Sequence, residues 1–197
     1  MRDCYKKFWK KVMIAKFHES LPQFELKETP SRKVADDLMP SAKPIEFVWN
    51  PVDKLTFKLI FTAHTRQDDF WAYCQWSETG KAKVAGQGVI RFADNAWNRV
   101  DGFVHLQSLS VEIDQRGSTV QSWDFWKPML DIGSTRESHA AYMAEIVAEE
   151  MRQISDDVAQ QRVEAAVEKT VVDVKRCAMP WFEKKLAWYM QNKANVP

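Results

Sequence analysis

Between residues 55 and 64 the chain alternates, with Leu55, Phe57, Leu59, Phe61 and Ala63 on one parity and Thr56, Lys58, Thr62 and His64 on the other. A period of two is what a half-buried β-strand requires, because successive side chains point to opposite faces. Arg66-Gln67-Asp68-Asp69 is a polar turn, and Phe70 to Trp76 returns as an aromatic-rich strand. Residues 55–76 are therefore predicted as a β-hairpin. Ile45, Phe47 and Trp49 also alternate, until Pro51 is expected to end the run. Val89 to Phe92, residues 103–113 and Val120 to Trp126, the last after a turn at Gly117, are further strand candidates. The alternation changes phase between Leu106 and Leu109, which implies a bulge or a helical turn, since a one-residue slip reverses every side chain. Residues 23–28 predict a short strand. From Thr29 to Pro44 the chain is punctuated by Pro30, Pro40 and Pro44 and reads as irregular, with one helical turn around Val34 to Leu38.

The ends carry helical periods instead. Over residues 2–18, Tyr5, Phe8, Trp9, Val12 and Lys16 recur at helical spacing, with Met13 and Phe17 beside them, and Lys6, Lys7, Lys10 and Lys11 take the opposite side. Pro22 stops this helix. Ser134-Thr135-Arg136-Glu137 fits a capping box in which the Ser134 hydroxyl and the Glu137 carboxylate each satisfy the other's amide. Ala140, Met143, Val147, Met151, Ile154 and Val158 then mark one face, and Val163, Val167, Val171 (or Thr170), Val174 and Ala178 (or Cys177) mark a second series out of phase with the first. A single helix over 137–177 would be roughly 60 Å long, against a radius of gyration of about 16 Å for a compact domain of this size. A break near 155–162 is expected; a long helix packed in a dimer is the alternative. Pro180 is expected to end that segment and to open a terminal helix from Trp181 to Gln191.

The resulting fold class is α+β: an antiparallel sheet of four to six strands over about 45–126, covered on one face by the N-terminal helix and by C-terminal helices in about 134–191. The 197 residues suit one such domain. Charge changes this picture little. A net charge of +1, from 28 basic and 27 acidic residues, gives no overall field to steer polyanions. Three widely spaced cysteines, Cys4, Cys74 and Cys177, argue against a disulfide framework or a cysteine-built zinc site and for reduced thiols in the cytoplasm. No signal peptide and no membrane-spanning run are read.

Candidate chemistry is sparse. His64, Asp68 and Asp69 sit near one hairpin turn, where a metal-assisted or general acid–base hydrolytic site could assemble. Adjacent Asp residues are also ordinary turn chemistry. His18, His105 and His139 lie in separate segments without ligand spacing. Glu25-Leu26-Lys27 has the triplet of a restriction-type nuclease core, yet the upstream Asp that core needs could only be Asp3, which lies in a helix. Gly86-Gln87-Gly88 completes neither a dinucleotide nor a phosphate loop, and no Gly-x-Ser-x-Gly elbow occurs. No cofactor and no metal are expected. Two surfaces remain. Trp71, Tyr73, Trp123 and Trp126 could present an aromatic sheet face to a partner, or simply join the sheet to its helices. Lys6, Lys7, Lys10 and Lys11 could track phosphates or an anionic membrane, or be merely solvated.

In its Lys-rich helix at 2–18, its aromatic hairpin ending at Phe70 to Ser77, and its Pro180-Trp181-Phe182-Glu183 element, the chain resembles a bacterial domain-of-unknown-function family. The resemblance spans most of the chain, which is longer in its helical third. It implies an α+β fold and a cytoplasmic location, and it carries no functional residue over. The expectation is a non-enzymatic binding or accessory protein acting on a protein partner or on a second copy of itself. An enzyme with a site near residues 64–69, and nucleic-acid or membrane contact through the basic helix, are the alternatives.

Overall fold

A computed structural model describes residues 1–27, 44–64, 67–79, 100–106, 123–126 and 135–193. The N-terminal helix α1 (Asp3–Ser20) is followed by strands β1 (Glu25–Lys27), β2 (Ile45–Val52), β3 (Leu55–Ala63), β4 (Asp69–Ser77), β5 (Asp101–His105) and β6 (Trp123–Asp124). Helices α2 (Arg136–Met151), α3 (Asp156–Asp173) and α4 (Met179–Asn192) complete the chain. The sheet is antiparallel in the order β1-β2-β3-β4-β5, and β6 pairs with the start of β4. The sheet begins earlier than the expected residue 45, because β1 pairs with β2 through Leu26 and Phe47. The candidate strand at 89–92 lies outside the described residues, as do 107–122, which include the change of phase.

The expected hairpin is present: β3 and β4 pair without interruption from Thr56–Ser77 to Ala63–Phe70. A second hairpin was not anticipated. β2 turns into β3 through Asp53 and Lys54, and Lys54 holds a left-handed φ of 64°. Pro51 does not end its strand. It sits inside β2 where the register with β3 shifts between Trp49 and Val52, a place that tolerates a missing N–H.

Alternation gives one sheet face Phe47, Leu55, Phe57, Leu59, Phe61, Phe70, Ala72, Cys74 and Trp76, all buried. Helices from both ends cover this face. From α1, Tyr5, Trp9, Met13 and Phe17 recur every fourth residue and point inward. Phe17 meets Phe47 and Phe61 at ring distances of 5.1 and 4.7 Å, and Trp9 meets Phe70 at 5.7 Å. From α4, Phe182 packs on Phe57 at 4.5 Å and Trp181 on Trp76 at 4.4 Å. Such aromatic pairs add roughly 0.5–1.5 kcal/mol each beyond their burial. The stripe of Val163, Val167 and Val171 on α3, continued by Val174 just beyond it, is buried, as its period implies. The opposite sheet face is also largely covered: Glu46, Lys58, Tyr73 and Gln75 are buried there, and burial pushes the Tyr73 phenol pKa up.

The C-terminal helices differ from expectation at two points. The break falls at 152–155, just before the expected 155–162, and Ser155 accepts the Val158 N–H to open α3. Pro180 does not break the rod. Helical dihedrals persist from α3 through a π turn, Val174–Ala178, into α4, with the Met179 N–H reaching the Val174 carbonyl. The wide turn relieves the clash that a proline ring makes with the carbonyl four residues back.

Gly102 on β5 lies opposite Trp76 on β4. A Cβ there would fall 1.8 Å from Cζ2 of the indole, which is itself buried against Trp181. Gly102→Ala is expected to cost about 3 kcal/mol by overpacking, read as a lower urea midpoint. A loss below about 1 kcal/mol would show that the indole moves aside freely.

Candidate interaction surface

Helix α2 is alanine-rich and well capped. Its N-cap is Thr135, one residue later than expected: the Thr135 Oγ1 accepts the Ser138 N–H at 3.1 Å, and the Ser138 Oγ accepts the Thr135 N–H at 3.2 Å. A Thr/Ser pair thus replaces the anticipated Ser/Glu pair, with the same reciprocal geometry.

The apolar series of α2 faces outward. Met143, Val147 and Met151 are 43%, 49% and 81% exposed, and Ala140 and Ala144 beside them are exposed as well. Tyr142 and Ile146 are half-buried on the other side, and the buried residue of the helix is Glu149. Two residues, about 200° of turn, separate Val147 from Glu149. The helix therefore turns a carboxylate to the body and a Met/Val stripe to solvent.

An ionic cluster explains this inversion. The Glu149 Oε1 accepts Arg162 Nη1 at 2.5 Å, with Arg2 Nη2 at 3.6 Å, and Arg152 Nη1 lies 3.3 Å from Oε2. Arg2 also donates to the Glu149 carbonyl at 2.8 Å, and Arg162 to the Tyr5 hydroxyl at 2.8 Å. Burial alone would raise the Glu149 pKa; the Arg162 hydrogen bond and the charges of Arg162, Arg152 and Arg2 outweigh it and hold the carboxyl below its usual range. The end of α2 is thereby tied to α1 and α3.

Arg2 also links this cluster to the predicted turn site. Its backbone N–H and Nε both donate to Asp68, at 2.7 and 2.5 Å. Asp69 is buried as the first residue of β4, opposite Asp124. His64 accepts the Gln67 N–H on Nδ1 at 3.0 Å and sets its ring edge toward Trp71, 5.2 Å away. Asp68 is thus engaged by an arginine, while the His64 Nδ1 closes the turn. Among the described residues, no group of three or more His, Cys, Asp or Glu is arranged to hold a metal ion.

Three of the four aromatic candidates divide between the two faces. Trp71 is half-buried and Tyr73 buried on the face away from the helices. Trp123 is on the helix-covered face, stacked on Phe70 at 5.8 Å with its Nε1 donating to Asp173 at 3.0 Å. Trp126 is half-buried. Among the basic candidates, Lys6 pairs with Asp3 at 2.9 Å and Lys7 with Asp156 of α3, while Lys10 and Lys11 are exposed. Lys16 of the same helix pairs with Glu168 at 2.7 Å.

A second buried ionic group was not foreseen. Lys185 is 0% exposed; its Nζ donates to the Glu78 Oε1 at 2.5 Å and lies 4.4 Å from the Trp188 ring centre. Lys193 donates to the other Glu78 oxygen. No helix among the described residues is long and apolar enough to cross a membrane. No family model, curated protein or solved structure matches this chain.

Proposed function

We propose that this chain is a binding or accessory protein that acts by protein–protein contact, with the outer face of α2 as its contact surface. The observation that carries the reading is the exposed Met143, Val147 and Met151 stripe on a helix whose polar side is the one held to the body. Large exposed apolar side chains aligned on one element are typical of surfaces that meet a partner, and methionine adapts to irregular partners. A cytoplasmic setting belongs to the same proposal. It is supported by three cysteines in no disulfide, two of them buried, and by burial that pushes the Cys74 thiol pKa up and keeps it unreactive.

The test is photocrosslinking in the native cell. A benzophenone side chain at Met151 is expected to give a discrete protein adduct that Ala144→Glu weakens at least about tenfold, a change of about 1.4 kcal/mol. The same probe at Lys169, on α3, is expected to give none. Absence of an adduct at Met151, or indifference to the Ala144 change, would overturn the reading.

A further inference from the structure

We draw no further inference here: the strongest candidate, the outward apolar face of α2 at Met143, Val147 and Met151, belongs to the contact surface already described, and nothing in the structure shows what covers it.

Discussion

Replacing Glu78 by glutamine is expected to cost about 3–5 kcal/mol, the usual penalty for removing one partner of a buried ion pair. The carboxylate lies between two ammonium groups, of which Lys185 has no solvent exposure. Without the charge, the Lys185 ammonium stays in a site walled by the Trp188 ring, where residue 78 offers it a neutral amide in place of a carboxylate. Lys193 is better placed to recover, because it is partly exposed and water can solvate it. The reverse change is expected to be milder. Lys185→Met keeps the length of the stem and removes the costly charge, while Lys193 still neutralises Glu78. Urea midpoints for the two variants should therefore differ, with Glu78→Gln losing at least about 2 kcal/mol more than Lys185→Met. Equal losses would mean that the pair is held chiefly by packing, and that the asymmetry between its two lysines carries no energy.

This pair, like the Glu149 cluster, was illegible in the sequence, and the reason is distance along the chain. Lys185 and Glu78 are 107 residues apart, and Arg2 and the Glu149 carbonyl 147. No spacing rule connects such residues, and nothing local marks Glu78 or Glu149 among the other acids. Local chemistry was more readable. The β3–β4 hairpin follows directly from an unbroken period of two. The β2–β3 hairpin escaped because its turn, Asp53-Lys54, has neither glycine nor asparagine where φ is positive. The break expected near 155–162 is better placed by Ser155-Asp156-Asp157, since a serine cap followed by two acids in the first turn is the ordinary opening of a helix. The contact surface was half legible. Periodicity located the stripe of Met143, Val147 and Met151, but the expectation that the helices of 134–191 cover the sheet implied that it faces inward, whereas it faces outward. Orientation depends on which side of α2 the arginines of other elements reach, and periodicity contains no information about that.

Acid should loosen the end of α2. A carboxyl whose folded pKa is depressed stabilises the fold above its unfolded value, and that stabilisation is lost as the pH falls through the folded value. Glu149 is such a group, held below its ordinary 4.5. At neutral pH, Glu149→Gln removes the charge that faces Arg162, Arg2 and Arg152 while keeping the side chain's shape. Arg162 and Arg2 are each about a quarter exposed, so water recovers part of the loss. The expected cost is about 2–3 kcal/mol, below that of a fully buried pair. As pH drops below 4.5, the wild-type carboxyl takes up its proton and comes to resemble the amide, so the gap between the two proteins should close. Comparing wild type with variant at each pH cancels the titration of every other carboxylate. Urea midpoints measured in pairs from neutral pH into acid would show this convergence, and limited proteolysis near 152–155 should become faster over the same interval. A gap that holds constant into acid would place the effect of the substitution in packing rather than in charge. In that case the arginines would not be what fixes the polar side of α2 against the body, and the outward stripe of Met143, Val147 and Met151 would need another cause.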